Sequence, residues 1–298
     1  MSQAWVEPTR SSAGLERRAR LHAARLYLVT DDETPAAELP QLISLAVSGG
    51  VDLVQLRRKH ADPGSLESLA SDCQRAAHLG GALFLVDDHV ELALAVDADG
   101  VHLGQSDLDP VEARRLVGSE LLVGLSTHSK DQVLKAASQS VDYLSAGPVH
   151  ATPTKPGRPA VGLEYVQVAA SRALVPVVAI GGLGLGGVGP AIAAGADMVG
   201  VVRAICQAKE PERIAATLRE EVLAAPRWLR LQVNGEPRRC PPGNSIGEFL
   251  QLLELRIDGV VVERNGDILR MAELGAVLLR DGDRLEIVHL VGGGTDHG

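Results

Sequence analysis

Residues 142–158 read DYLSAGPVHATPTKPGR, a short apolar strand that runs directly into a proline-rich loop. The loop carries hydroxyl and cationic side chains, namely Thr152, Thr154, Lys155 and Arg158. Proline restricts its own backbone and that of the residue before it. Such a loop is therefore stiff and loses little entropy on binding an anion such as phosphate. Taken alone, TPTK is more typical of a solvated loop, so the rest of the chain decides between the two interpretations.

Other short apolar runs share the character of this strand, and helical stretches separate them. In chain order the candidate strands are Leu26–Thr30, Leu53–Leu56, Leu83–Val86, Gly100–Leu103, Leu122–Ser126, Tyr143–Ala146, Val177–Ile180 and Met198–Val202. Strands rich in Val and Leu that alternate with helices indicate a parallel sheet covered by helices. Eight in succession predict a closed (β/α)8 TIM barrel, with its chemistry at the carboxyl ends of the strands. A doubly wound sheet ranks lower because no GxGxxG follows the first strand.

The chain divides into four segments. These are an N-terminal arm or short basic helix at 1–24, the barrel at 25–224, a linker at 225–228 and a second, smaller α+β domain at 229–298. In the second domain Asn234 and Gly235 signal a hairpin turn, and Ser245 with Glu248 predicts a capped helix. Its candidate strands are Leu229–Val233, Pro237–Cys240, Val260–Arg264 and Leu285–His289. This order predicts a small ββαββ unit that ends in a glycine-rich tail.

Composition excludes several classes of function. The 298 residues carry a formal charge of -9 and only 2% aromatics, which argues against nucleic acid as a partner. No apolar run reaches transmembrane length and no secretion signal is evident, so no membrane partner and a cytoplasmic location are expected. Three scattered cysteines predict neither a disulfide framework nor a zinc site.

Charged side chains follow the second, third and fourth strands. Side chains alternate along a strand, so Gln55, Arg57 and Lys59 are expected on one face, aimed at an anion, with Arg58 on the other face. Asp87 and Asp88 follow the third strand and Asp107 follows the fourth. Each aspartate alone is often a loop or cap residue. Together, beside phosphate-binding cations, they predict a Mg2+ site, because Mg2+ accepts one or two carboxylates plus water and phosphate oxygens.

The remaining strand ends carry small or basic residues. The fifth strand ends in Ser126 and is followed by His128, which is more often a structural hydrogen-bonding group than a base. Gly181 and Gly182 follow the seventh strand, and Arg203 follows the eighth. Loops after the seventh and eighth strands of barrels frequently bind phosphate through backbone N–H groups.

The motifs QLRRK, VDD, HLGQSDL, GLSTHS, GPVHATPTKPGR, AIGGL and GVVRAI, in this order over Leu26–Leu223, resemble thiamine phosphate synthase. The resemblance implies joining of 4-amino-2-methyl-5-hydroxymethylpyrimidine diphosphate to hydroxyethylthiazole phosphate, with Mg2+ as cofactor and release of diphosphate. It implies catalytic roles for Arg57, Lys59, Ser126 and Lys155. By the same resemblance, the residues that bind the pyrimidine diphosphate are Gln55, Leu56, Arg57, Arg58, Lys59, Asp87, Ser126 and Lys155. Those that bind the thiazole phosphate are Thr152, Pro153, Thr154, Gly181, Gly182, Val202 and Arg203. The metal is held by Asp88 and Asp107.

Three positions depart from the pattern of that family. Arg58 stands where the family usually has Glu, Asp87 where it has Asn, and Arg203 where it has Ser. Arg58 faces away from the predicted site and should matter little. Asp87 removes a donor and adds a charge at the pyrimidine contact, whereas Arg203 would strengthen phosphate binding.

The C-terminal motifs LQVNGEPR, DGVVVERNG and RDGDRLEIVHLVGGG resemble the thiamine sulfur carrier, a ubiquitin-like β-grasp protein. The resemblance implies a tail ending at Gly293 or Gly294 whose carboxylate becomes a thiocarboxylate, with a sulfur-carrier adenylyltransferase and thiazole synthase as partners. A side-chain-free tail can enter a partner's active site. The residues TDHG follow the glycines, so either a protease removes them or the carrier is inactive.

Three other functions remain open from the sequence. The barrel could be similar to a thiazole tautomerase, which has no use for diphosphate. The presence of QLRRK and of the two metal-site aspartates argues against this function. A Schiff-base aldolase would use Lys155 as nucleophile, but such a lysine needs burial to lower its pKa. A non-catalytic barrel would serve only as a scaffold for the sulfur carrier.

Overall fold

The computed structural model describes residues 11–59, 63–152, 159–255 and 259–289. Within these ranges eight parallel strands pair in chain order and close into a barrel, since β1 pairs with both β2 and β8. The barrel strands are β1 Leu26–Val29, β2 Leu53–Leu56, β3 Leu83–Asp87, β4 Gly100–Leu103, β5 Leu122–Thr127, β6 Tyr143–Ala146, β7 Val177–Ile180 and β8 Met198–Val201. The predicted TIM barrel is confirmed.

Helices cover the outside of the barrel and one precedes it. Their bounds are α1 Ser12–Ala23, α2 Leu39–Ser48, α3 Pro63–Leu79, α4 Val90–Ala95, α5 Pro110–Val117, α6 Lys130–Ala136, α7 Gly162–Arg172, α8 Val188–Ala193, α9 Arg203–Cys206 and α10 Pro211–Ala224, with a 3-10 turn at Ala36–Glu38. None of the helices described here is long and apolar enough to cross a membrane.

Alternation along the strands separates two layers of core. Leu53 lies in the barrel interior with Tyr27, Leu85 and Tyr143, whereas Leu56 lies in the layer between strands and helices. Because successive side chains of a strand point to opposite faces, Gln55 shares the interior face with Leu53. Gln55 is therefore the last interior-facing residue of the second strand.

An aspartate directly precedes each even-numbered barrel strand. The four aspartates lie at the amino-terminal end of the barrel, which is called the floor here. Each carboxylate accepts a hydrogen bond from a backbone N–H at the start of the neighbouring odd-numbered strand: Asp52 from Leu26, Asp99 from Phe84, Asp142 from Val123 and Asp197 from Val177. Each also pairs with arginine: Asp52 with Arg219, Asp99 with Arg17, Asp142 with Arg18 and Arg114, and Asp197 with Arg239. Buried carboxylates need such partners to offset the loss of water.

Helix α1 belongs to this floor. Ser11 caps it by accepting the N–H of Gly14 at 3.1 Å, and Leu21 is 1% exposed against the barrel interior. The helix supplies Arg17 and Arg18, which lie 2.9 and 2.7 Å from their aspartates. Of the two sequence interpretations of this segment, arm or helix, the structure has the helix over residues 12–23.

The second domain is a five-stranded sheet packed against one α-helix. Its elements are β9 Leu229–Val233, β10 Glu236–Cys240, α11 Ile246–Leu252, β11 Val260–Arg264, β12 Asp267–Leu269 and β13 Arg284–His289, with a 3-10 turn at Met271–Glu273. The sheet order is β10-β9-β13-β11-β12, and β13 runs parallel to β9. The capping box of Ser245 and Glu248 is present as predicted. The sequence interpretation missed β12, a three-residue edge strand.

Candidate active site

A cavity of about 160 Å³ opens at the carboxyl ends of the barrel strands. Residues from the ends of β2, β3, β5, β7 and β8 and from the loop after β6 line it together. Those expected from the sequence are Gln55, Arg57, Asp87, Ser126, Thr152, Gly181, Gly182, Val202 and Arg203. Residues far apart in the chain thus meet at one rim.

A chain of buried hydrogen bonds forms the bottom of this cavity. Tyr27 donates to Gln55 Oε1 at 2.5 Å, and Gln55 Nε2 donates to Asp87 Oδ1. The Tyr27 hydroxyl also lies 3.1 Å from that of Tyr143. Burial raises the pKa of both tyrosines, so both hydroxyls keep their protons at neutral pH. These hydrogen bonds orient the Gln55 amide and the Asp87 carboxylate, which face the cavity.

His102 extends this network of hydrogen bonds to the fifth strand. Its Nδ1 lies 2.8 Å from the Tyr143 hydroxyl and its Nε2 lies 3.0 Å from Ser126 Oγ. Ser145 Oγ donates to Ser126 Oγ at 3.4 Å. His102 is therefore a hydrogen-bonding group that orients Ser126, and Ser126 is turned toward the cavity. His128 also lines the cavity, with Nδ1 2.5 Å from the carbonyl oxygen of Gly147.

The loop after β1 holds Arg57 in place. Asp32 accepts from Arg57 Nη1 at 2.9 Å and from the backbone N–H of Lys59 at 3.1 Å. Arg57 Nε is buried and has no hydrogen-bond partner among the described residues, although it lies 3.7 Å from Asp87 Oδ2. A buried N–H without an acceptor at the edge of a cavity is suited to bind an anionic ligand.

Lys59, Asp88 and Asp107 form a charged cluster beside the cavity. Lys59 Nζ lies 2.5 Å from Asp88 Oδ2. Burial and a hydrogen bond to Asp107 raise the pKa of Asp88, against the opposing effect of Lys59. Burial lowers the pKa of Lys59, but the hydrogen bond to Asp88 and the charges of the neighbouring aspartates outweigh it, so the net shift is upward.

Two carboxyl groups that share a hydrogen bond are a donor set suited to a hard cation, since a divalent ion would remove the repulsion between them. No group of three or more His, Cys, Asp or Glu side chains arranged to hold a metal occurs in residues 11–59, 63–152, 159–255 and 259–289. Mg2+ does not need one, because substrate phosphates and water complete its shell. Asp88 and Asp107 therefore fit a magnesium site that is completed by the ligand.

The loops after β6 and β7 pack closely on each other. Val149 and His150 donate backbone hydrogen bonds to the carbonyls of Ile180 and Gly181, each at 2.9 Å. Gly181 has a φ of +101° and Gly182 a φ of +67°, conformations that favour glycine. A Cβ on Gly181 would lie 2.5 Å from the Cα of Pro148. The two glycines thus allow the backbone of this loop to reach the cavity.

Some predicted site residues lie elsewhere. Leu56 is buried under the helices and does not face the cavity. Arg58 donates to the carbonyl oxygens of Asp32 and Thr34, so it fastens the loop after β1 and is absent from the cavity lining, as its strand position predicts. Pro153, Thr154, Lys155, Gly293 and Gly294 lie outside the described residues.

Sequence reasoning missed Tyr27 and Ser145 in the cavity wall, Tyr143, which is hydrogen-bonded to Tyr27, and Asp32, which is hydrogen-bonded to Arg57. The signal for the tyrosines was present, because the chain has only three tyrosines and these two fall on interior-facing positions of strands. A polar aromatic inside a barrel needs a hydrogen-bond partner. Asp32 gave no comparable signal, because a second aspartate after a strand is typical of a loop.

Comparison with known proteins agrees with this geometry. The profile of the family described as thiamine monophosphate synthase matches residues 26–205. The chain belongs to the thiamine monophosphate synthase family. The profile of the ThiS family matches residues 231–294, so a member of this synthase family is fused here to a ThiS-like domain, as the sequence motifs predicted.

Individual relatives of the synthase family extend along the barrel. A thiamine-phosphate synthase of Nostoc punctiforme is 45% identical over 205 residues, 69% of this chain and 58% of the relative. One of Saccharopolyspora erythraea is 46% identical over 222 residues, 70% of this chain and 97% of the relative. The structure of thiamine phosphate pyrophosphorylase from Pyrococcus furiosus has a TM-score of 0.62 at 31% identity, covering 69% of this chain and 97% of that one. The chain spans between 58% and 61% of the length of several of the thiamine-phosphate synthases that it matches.

Proposed function

We propose that this chain is a thiamine phosphate synthase that joins the hydroxymethylpyrimidine diphosphate to hydroxyethylthiazole phosphate and releases diphosphate. One observation carries the proposal: Arg57, whose buried Nε–H has no hydrogen-bond acceptor among the residues that the structure describes, borders the same cavity as the glycine loop after β7. Beside Arg57 lie Lys59 and the carboxyl pair of Asp88 and Asp107. Donors from two different strand ends, those of β2 and β7, are thus available for two anionic groups.

The two substrates would occupy different arcs of the rim. The pyrimidine diphosphate would lie over β2 to β5, where Gln55, Asp87 and Ser126 present oriented hydrogen-bonding groups. Asp87 stands where the family usually has Asn, but it already accepts from Gln55 and lies within 4 Å of two cations, Arg57 and Lys59. Its extra charge is thus balanced locally. The thiazole phosphate would lie over β6 to β8, on Thr152, the backbone of Gly181 and Gly182, and Arg203.

The reaction requires a carbon–oxygen bond to break and a carbon–nitrogen bond to form at the same methylene. As diphosphate leaves, negative charge develops on its oxygen, and the thiazole nitrogen supplies the electron pair for the new bond. Arg57 and Lys59 are placed to stabilise the leaving charge. No protein nucleophile is needed. Mg2+ held by Asp88 and Asp107 would neutralise further charge on the diphosphate, and Lys155 would be a third cation from the loop after β6.

The purified chain tests this proposal directly. Incubated with both phosphorylated precursors and Mg2+, it is expected to form thiamine phosphate and diphosphate in equal amounts. A tautomerase-like barrel would consume no diphosphate ester, and a scaffold would consume neither substrate. Absence of both products with the full-length, folded chain would refute the assignment.

Changing Asp107 to Asn tests the metal site. The substitution removes one charge from the carboxyl pair, so the Mg2+ concentration for half-maximal activity should rise at least about tenfold. Asp109→Asn is the matched control, because Asp109 caps α5 by accepting from Val111 N–H and asparagine caps as well. Unchanged Mg2+ dependence in Asp107→Asn would show that this carboxylate does not hold the metal.

The ThiS-like domain is proposed to act as a sulfur carrier for thiazole synthesis. Its partners would be an adenylyltransferase that activates the tail carboxylate and a thiazole synthase that takes the sulfur. The ThiS family match stops at Gly294, directly before the residues TDHG. This boundary supports removal of the last residues.

Mass spectrometry of the protein isolated from its native cell is expected to find chains that end at Gly293 or Gly294. The reason is that a carboxylate can be activated only at the end of the chain, and the residues after Gly294 carry side chains that would block a narrow partner site. A population made up solely of full-length chains would contradict a working carrier.

A further inference from the structure

Arg239 joins the second domain to the floor of the barrel. It lies on β10, is 8% exposed and pairs with Asp197, the aspartate that precedes β8. Its guanidinium also donates to three carbonyl oxygens of the barrel: Ala170 at 3.2 Å, Ala173 at 3.0 Å and Val175 at 2.8 Å. A planar group with five donors is well suited to hold several acceptors at once.

Asp197 differs from the other three floor aspartates in the source of its arginine. Asp52, Asp99 and Asp142 pair with arginines of the barrel or of helix α1. Asp197 takes its arginine from the second domain. A buried carboxylate without its partner is strongly unfavourable. Asp197, at the start of β8, has its partner Arg239 only when the second domain is docked.

Contacts around this pair support one docked orientation. The indole N–H of Trp228 donates to the carbonyl of Ala193 at 2.9 Å, and Arg227 Nη2 donates to the carbonyl of Asp197 at 2.9 Å. At the other edge, Glu254 lies 2.6 Å from Lys130 and 2.9 Å from Arg172. The interface therefore has a buried centre at Arg239 and Asp197 and charged residues around Glu254 at its edge.

We propose that Arg239 is an interdomain lock, which holds the ThiS-like domain against the amino-terminal ends of β7 and β8. The surface that surrounds Asp197 is a docking surface for the domain of the same chain. The barrel residues that Arg239 contacts do not line the cavity, so the lock and the cavity are separate.

Trypsin tests the lock in the full-length protein. Arg227 in the linker donates to the carbonyl oxygen of Asp197, the partner of Arg239, so loss of the lock is expected to expose this cleavage site. Arg239→Leu should speed cleavage after Arg227, read by mass as the fragment 1–227, about a hundredfold. Arg238→Leu is the matched control, since Arg238 pairs with Glu236 within the second domain. It should be cleaved at the wild-type rate. Equal rates for wild type and Arg239→Leu would overturn the proposal.

Arg239→Lys decides the question if the leucine variant does not fold. Lysine keeps the charge opposite Asp197 but cannot reach the three barrel carbonyls at once. Its cleavage rate after Arg227 should lie clearly above that of wild type. A rate indistinguishable from wild type would show that the carbonyl contacts do not hold the domains together.

Discussion

Replacing Arg57 with alanine is expected to lower kcat of thiamine phosphate formation about 100- to 1000-fold, the usual effect of removing one preorganised donor from developing charge. The reason is that Arg57 borders the cavity with a buried N–H that lacks a hydrogen-bond acceptor among the described residues. Steady-state kinetics with both precursors at saturating Mg2+ measure the change. The folded state is checked by thermal unfolding.

Arg58→Ala is the control for this prediction. Arg58 is the next residue but donates only to loop carbonyls, so its loss removes two hydrogen bonds of about 1 kcal/mol each and should lower activity by less than about tenfold. Equal losses in the two variants would mean that the direction of the side chains along this segment has been assigned wrongly.

Changing Gly181 to alanine is expected to lower kcat/KM for hydroxyethylthiazole phosphate about 100-fold, because a misplacement of about 1 Å can have this effect. Its φ of +101° is unfavourable for alanine, and the new Cβ would lie 2.5 Å from the Cα of Pro148. The loop after β7 must shift, and the loop after β6 is hydrogen-bonded to it. The KM for the pyrimidine diphosphate should change far less, since that substrate is proposed to lie over β2 to β5.

Gly184→Ala is the control in the same loop. Gly184 does not have a left-handed backbone, and a Cβ there would meet only the Cβ of Ala204 at 3.6 Å, an ordinary contact. Wild-type kinetics are expected. If both alanine variants left thiazole binding unchanged, the phosphate would have to be bound elsewhere on the rim.

The barrel could be predicted from the sequence because each strand is signalled locally. Four of the barrel strands, β2, β4, β6 and β7, have the predicted bounds, and the other four differ by one residue at the carboxyl end. From Gln55 to Lys59, the alternation of side chains was enough to predict that Arg57 faces the cavity and Arg58 does not. Where the signal is short, as for the three residues of β12, the sequence interpretation failed.

The rest of the site depends on contacts between distant segments, which no local pattern reports. Asp32 acts on Arg57 from another strand end, and Tyr27 reaches Tyr143 across the barrel interior. The docking of the second domain likewise depends on residues far apart in the chain, such as Asp197 and Arg239, which are separated by 42 residues. In the sequence Arg239 is one of two adjacent arginines on an exposed-looking hairpin, and nothing distinguishes it from Arg238.

The position of the docked domain has a consequence for how the two proposed activities share one molecule. The domain is held at Asp197, which does not line the cavity. If the domain is a sulfur carrier, as proposed, its partners and the substrates of the barrel would therefore bind to separate surfaces. The covalent link would keep the proposed sulfur carrier and the proposed coupling enzyme at a fixed one-to-one ratio.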